Sequence, residues 1–281
     1  MKRGLVMEGG AMRGLFTAGV IDVMMKNNIE FDGAIGVSAG AAFGCNYKSR
    51  QIGRVLRYNK QFCNDKRYSG IRSLITTGDF YNTKFCYGVV PRTIDIFDQD
   101  TYNNNPMEFY VVCTDVITGE AVYHNLEKIN DFSFDWIRAS ASMPLVSNIV
   151  EIDGRKMLDG GISDSIPLKY FEGIGYDKNI VILTQPDSYT KKANSMMPII
   201  KLAYRKYPGI IKAMHNRHMM YNETVEYIRM KEKQGDIYVI RPQEVLPLSR
   251  TEKNPDNLQK AYDIGVKICT EKLDDIKSFL R

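Results

Sequence analysis

Short apolar runs alternate with glycine-containing turns along the first fifty residues. Arg3 to Met7 carries Leu5-Val6 and predicts a short buried strand. Glycines follow. From Met12 to Lys26 the apolar positions Leu15, Val20, Val23 and Met24 predict a helix, which Asn27-Asn28 ends. Phe31 to Val37 predicts a second strand, and Ser38 turns the chain into the small-residue helix start Ala39-Gly40-Ala41-Ala42-Phe43. Strand, helix, strand, helix in that order predicts a βαβ unit and therefore a parallel sheet.

Residues 50–107 lose this regularity. They are rich in Tyr, Asn, Asp and Arg and predict short helices and loops that form one wall of a site. Order returns with a strand over Glu108–Thr114 and a hairpin through Thr118-Gly119 into Glu120–Tyr123. A helix is predicted over Phe134–Ser142, ahead of Pro144. A second hairpin turns at Asp153-Gly154 between 150–152 and 156–158. Asn179–Thr184 predicts a buried strand. Residues 196–232 predict helix interrupted near Pro208-Gly209, Ile237–Ile240 a late strand, and Asn257–Leu280 a closing helix. No internal repeat or low-complexity linker divides the chain, so one domain over residues 1–281 is expected.

Composition narrows the class. At 281 residues the chain can bury about three quarters of its unfolded surface. Its 44% hydrophobic and 25% charged residues are ordinary for a globular enzyme. No apolar run reaches the roughly 20 residues that span a bilayer. The apolar run after Met1-Lys2-Arg3-Gly4 stops at Glu8, which is not the pattern of a secretory signal. Cys45, Cys63, Cys86, Cys113 and Cys269 are odd in number and form no C-x-x-C pair, as expected of reduced thiols in a cytoplasmic protein. His124, His215 and His218 are too few for a histidine-rich metal centre, and no metal or cofactor is called for. Net charge is +5, but residues 191–233 hold ten Lys and Arg against three Glu. That local field suits an anionic surface, such as a lipid headgroup layer met peripherally, better than nucleic acid.

Three places concentrate chemistry. Gly36-Val37-Ser38-Ala39-Gly40 is G-x-S-x-G between a predicted strand and helix. A turn that sharp leaves no room for a β-carbon two residues either side of the serine, and it presents the hydroxyl as a nucleophile. Gly9-Gly10-Ala11-Met12-Arg13-Gly14 opens the first helix. It lacks the lysine and hydroxyl of a P-loop, since Leu15-Phe16 stands where they would be. As a dinucleotide turn it has alanine for the middle glycine, with Glu30 or Asp32 as the acid expected downstream. As a row of N–H donors for an oxyanion it loses little, because alanine keeps its N–H. Asp159-Gly160-Gly161 places an acid at a strand end before two glycines. A serine nucleophile needs a base: His124, His215 and His218 are available in principle, and Asp159 is the direct alternative.

The ordered set of these motifs resembles the patatin-like phospholipase family, over about residues 3–185. Arg138–Pro144 resembles that family's helix before the acid, and "SDSIP" at Ser163–Pro167 resembles its continuation. The resemblance implies a three-layer α/β/α fold with a mostly parallel central sheet and a helical C-terminal region from about residue 190. It implies a serine hydrolase of lipid carboxylic esters, phospholipase A or lysophospholipase-like, without a catalytic histidine. Ser38 would then be the nucleophile, Asp159 the base and Gly9–Gly14 the oxyanion loop. The departure from the family pattern is Ala11. Two other readings of the sequence stand beside this one: a dinucleotide-binding protein, and a lipid-binding module without turnover.

Overall fold

Alternate residues of a strand face opposite ways, and the first strand shows what that means here. Val6 joins an apolar cluster with Ile35, Val37, Phe171 and Val225. Its neighbours Leu5 and Met7 join another, with Phe16, Val20, Ala41 and Ile268. A strand buried on both faces belongs inside a sheet covered on both sides by helices. The computed structural model, which describes residues 1–281, has that three-layer architecture.

The strands are β1 (Lys2–Met7), β2 (Gly33–Val37), β3 (Glu108–Asp115), β4 (Ala121–Asn125), β5 (Val150–Ile152), β6 (Arg155–Asp159), β7 (Tyr176–Ile182) and β8 (Ile237–Ile240). They form one sheet of order β5-β6-β3-β2-β1-β7-β8, with β4 added to β3. The run β3-β2-β1-β7-β8 is parallel, and β4, β5 and β6 pair antiparallel. The helices are α1 (Gly14–Lys26), α2 (Ala39–Lys48), α3 (Arg54–Phe62), α4 (Ile71–Thr77), α5 (Gln99–Asn104), α6 (Asp135–Ser140), α7 (Leu168–Gly173), α8 (Met197–Ala203), α9 (Pro208–Gln234), α10 (Pro255–Glu271) and α11 (Leu273–Phe279). Side chains of α1, α2, α6 and α10 pack in the cluster under one face, and those of α7 and α9 in the cluster under the other.

Several expected elements differ in extent; the strand expected at Asn179–Thr184, for one, runs Tyr176–Ile182. The second strand begins at Gly33 rather than Phe31, because Phe31 turns into the core against Tyr47. The closing helix is two helices, broken at Lys272. Residues 50–107 are short helices and loops, as their composition implies. Among them Phe85–Ile94 is π-helical around Pro91, which has no N–H to give to an α-helical bond.

The C-terminal helices are fastened to the N-terminal ones. At the α1–α10 crossing a β-carbon on Gly19 would meet the Tyr262 carbonyl oxygen at 2.2 Å, and one on Gly265 would meet that of Phe16 at 2.2 Å. The buried Asp22 accepts from the Tyr262 hydroxyl at 2.7 Å and from the Gly53 N–H at 2.8 Å, so its charge is not left bare.

One strand sets the positions of the chemistry. β4 occupies one edge of β3 over Tyr110–Thr114, so β2 and β6 must share the other. Val112 partners Val37 of β2, and the next residue, Cys113, partners Asp159 of β6. Where β2 leaves the sheet at Ser38, β6 takes over its place on β3 and delivers Asp159.

Candidate active site

Ser38 adopts φ 55° and ψ −117°, a conformation that costs an L-residue about 1–3 kcal/mol. The surroundings force it. A β-carbon on Gly36 would lie 2.4 Å from the Gly40 carbonyl oxygen, and one on Gly40 would lie 2.4 Å from that of Met7. Only glycine at both positions lets β2 fold back on the start of α2. Ser140 of α6 holds the turn from behind: its hydroxyl accepts from the Ser38 N–H at 2.9 Å and donates to the Val112 carbonyl at 2.6 Å. The hydroxyl of Ser140 thus ties the serine to β3, the strand against which β6 sets Asp159.

Asp159 is 1% exposed. Its Oδ1 accepts from the Gly161 N–H at 2.8 Å, while Oδ2 is buried with no hydrogen bond of ordinary geometry. Burial pushes its pKa above the usual carboxylate range. The Arg217 guanidinium, the Ser38 hydroxyl and the Gly161 N–H oppose that rise. The result is a carboxylate that holds a proton more readily than an exposed one, facing a serine hydroxyl. Gly160 and Gly161 form a tight turn beneath it, and Arg217 Nε donates to the Gly161 carbonyl at 2.5 Å.

The Gly9–Gly14 loop lies against the same serine: a β-carbon on Gly9 would come 3.1 Å from Ser38 Cβ. Ala11, in the place of the middle glycine, takes φ 49°. The left-handed turn is kept and alanine bears the strain. The donors sort themselves. Met12 N–H goes to the Arg250 carbonyl at 3.4 Å, Arg13 N–H to Gly10 at 3.1 Å, and Gly14 N–H back into the loop. Gly9, Gly10 and Ala11 keep their N–H groups free, as does Ala39 at the start of α2. Of the six loop residues, three therefore have donors to offer.

The family model for patatin-like phospholipases matches residues 5–172, well over half of the chain, and takes in all three motifs. The chain belongs to the patatin-like phospholipase family. Its class of activity is accordingly lipid hydrolysis. A domain of unknown function, DUF6363, matches residues 207–281. Among relatives, the uncharacterized protein YjjU of Escherichia coli is 26% identical over 94% of this chain and 75% of its own length. Lysophospholipase nte1 of Aspergillus niger is 27% identical over 62% of this chain but only 11% of its own length. The crystal structure of VipD from Legionella pneumophila aligns with a TM-score of 0.45 at 14% identity, over 98% of this chain and 67% of that one.

In this patatin-like chain, Ser38, Asp159 and the loop residues 9–13 line one cavity of about 450 Å³, while Gly14, Gly36, Gly40 and Gly160 support it from behind. Its apolar arm runs past Cys45, Tyr58, Tyr87, Val90, Phe134 and Ile137, so the irregular 50–107 segment does form a wall. No histidine lines it. His124 stacks on Trp136 with ring centroids 4.0 Å apart, and burial lowers its pKa. His215 and His218 lie on α9 outside the cavity. No group of three or more His, Cys, Asp or Glu side chains is arranged to hold a metal. The acids that a dinucleotide turn would need are at the wrong end of the sheet. Asp32 accepts from the Arg3 N–H at 2.6 Å and Glu30 pairs with Arg50, about 13 Å along β1 from the loop. That alternative has no geometry to support it.

Several cavity residues carry no local sequence signal. Glu8 reads only as the end of an apolar run, yet its buried carboxylate accepts from the Thr184 N–H at 2.5 Å and the Tyr221 hydroxyl at 2.8 Å. Tyr221 lines the cavity, whereas Met219 beside it is exposed. Lys191, Arg217 and Arg250 line it from beyond residue 172. A surplus of cations is visible over 191–233, but nothing local marks which of them turn inward.

Proposed function

We propose that the protein is a serine acyl hydrolase that cleaves carboxylic ester bonds of lipids through a Ser38–Asp159 dyad. The observation that carries this reading is the shared ladder on β3, which sets a strained serine and a buried, proton-hungry carboxylate side by side in an apolar-walled cavity. Asp159 takes the proton of Ser38 as the serine oxygen bonds to the acyl carbon. The carbonyl oxygen becomes an oxyanion facing the free N–H groups of Gly9, Gly10, Ala11 and Ala39. Asp159 returns its proton to the leaving alkoxide, so an alcohol departs and an acyl-serine remains. Water then gives a proton to Asp159 and its oxygen to the acyl carbon. The fatty acid leaves as Ser38 recovers its proton.

The apolar arm suits the acyl chain. The reading treats residues 1–281 as one cytoplasmic unit, in which β8 and α10 complete the sheet and helix layer begun by the catalytic core. It includes peripheral contact with a lipid surface. α8 exposes Ile199 and Leu202 beside Lys201, and Leu145, next to the cavity-lining Pro144 and Val146, donates its N–H to Tyr204 just beyond α8. No helix is long and apolar enough to cross a membrane.

The test is release of fatty acid from monoacylglycerol and lysophospholipid by the purified chain and by Ser38→Ala. Release that Ser38→Ala abolishes is expected. Release that survives Ser38→Ala, or none from any ester, would overturn the reading.

A further inference from the structure

Four cations converge where the cavity meets the dyad: Arg13, Lys191, Arg217 and Arg250. None of them takes part in an ion pair, although thirteen other Lys and Arg side chains of the chain do. Arg13 Nε is shut off from solvent with no partner. Arg217 spends one N–H on the Gly161 carbonyl and has no other hydrogen bond. The Lys191 ammonium rests over the Tyr221 ring, 4.1 Å from its centroid, rather than on a carboxylate.

This is a built site. Asn222 of α9 clamps the Lys191 backbone from both sides, accepting its N–H at 2.9 Å and donating to its carbonyl at 3.0 Å. The Arg250 carbonyl accepts from Met12 N–H, which docks the 241–250 segment on the oxyanion loop. The local counter-charges are Glu8 and Asp159. Glu8 is occupied by Thr184 and Tyr221, and Asp159 faces the serine. The third acid of the cavity, Asp79, accepts from Thr83 and Asn148. Three guanidinium groups and a Lys191 ammonium lowered to about 7 face the two nearest acids, so the corner is net positive, and its three guanidinium groups are forks. That is the charge and donor geometry of a phosphate monoester.

We infer that Arg13, Lys191, Arg217 and Arg250 form a subsite for a phosphate carried on the alcohol side of the scissile ester. Arg217 and Arg250 belong to the 207–281 segment, so that domain of unknown function supplies half of the subsite. The proposal rests on the ester-hydrolase reading and narrows it: the favoured substrate is a phosphorylated monoacylglycerol rather than its neutral parent. Burial, with Arg217 beside it, lowers the Lys191 ammonium to about 7, and a phosphate in contact reverses that shift.

The test separates binding from turnover. Ser38→Ala protein is titrated calorimetrically with monooctanoylglycerol, its 3-phosphate, and inorganic phosphate. The phosphorylated ester is expected to bind at least tenfold more tightly than the neutral one, with inorganic phosphate competing weakly against it. Adding Arg250→Ala, whose side chain is exposed, or Lys191→Met is expected to cut that preference several-fold, with the thermal melt confirming a folded chain. Equal affinity for the two esters would overturn the proposal. So would inorganic phosphate that binds without competing, because the cluster would then serve a free anion. Tight binding of the phosphorylated ester that the wild-type chain never cleaves would support the subsite and sink the hydrolase reading.

Discussion

Two glycine-rich turns stand side by side at the ends of β1 and β2, and they are built on opposite terms. In the elbow, Gly36 and Gly40 are each hemmed in by backbone, with no flexible side chain to yield, and the strained residue is Ser38 itself. The opening loop is close-packed too at Gly9, Gly10 and Gly14, but its left-handed residue is Ala11, which holds the angle at the cost of strain. The elbow glycines are fixed by main-chain sterics, whereas the Ala11 position is set only by its backbone angle. A position hemmed in by main chain permits one residue type. A position that needs only a free N–H permits any residue that can hold the angle.

The contrast sets an order of sensitivities. Asp159→Asn removes the base while keeping the Gly161 hydrogen bond, and kcat falls about 10²–10⁴-fold with the fold intact; steady-state kinetics beside a thermal melt checks this. Gly40→Ala drives a methyl group into the Met7 carbonyl. It lowers stability by about 1–3 kcal/mol in denaturant titration and displaces Ser38 enough to cost on the order of 10² in kcat. Ser140→Ala strands the Ser38 N–H and lowers stability by about 1–3 kcal/mol, with a loss in kcat rather than a rise in KM. Ala11→Gly is the mild counterpart. Relief of the left-handed strain and the added freedom of the unfolded chain nearly cancel, so stability changes by less than about 1 kcal/mol and activity survives. If Ala11→Gly proved as damaging as Gly40→Ala, the distinction between the two turns would collapse.

The pH dependence follows from the same site. Asp159 must be ionised to take the serine proton, and burial raises its pKa, so kcat falls on acidification at a higher pH than an ordinary carboxylate would give. Arg217 opposes the rise. Arg217→Met lifts the pKa further and moves the acid limb of the kcat profile to higher pH, with activity recovered as pH increases. A loss equal at every pH would show that Arg217 does not act through the Asp159 proton.

The parts legible in sequence are those with local causes. Leu5-Val6-Met7 reads as a strand because both faces are apolar. The elbow reads because its sterics impose a fixed spacing, and Asp153-Gly154 reads because a two-residue hairpin demands φ > 0 at both positions. Ser38, Asp159 and the Gly9–Gly14 loop can each be named from such signals. Their meeting cannot, since it depends on β6 replacing β2 along β3, through pairings of Val37 with Val112 and of Cys113 with Asp159 that no local pattern announces. Glu8, Lys191, Arg217 and Arg250 stay silent for the same reason: each matters through a partner that the topology brings to it. Phe31 and Lys272 show the limit at element ends, where tertiary packing decides the last residues.

The central claim is that Ser38 is a nucleophile activated by Asp159 without a histidine. Treatment with a fluorophosphonate, followed by mass spectrometry of the adduct, tests it most directly. The account predicts a single adduct on Ser38 that is lost in Asp159→Asn and retained when His124, His215 and His218 are each replaced by Asn. An adduct on another residue, or labelling of Ser38 that needs one of those histidines, would contradict it.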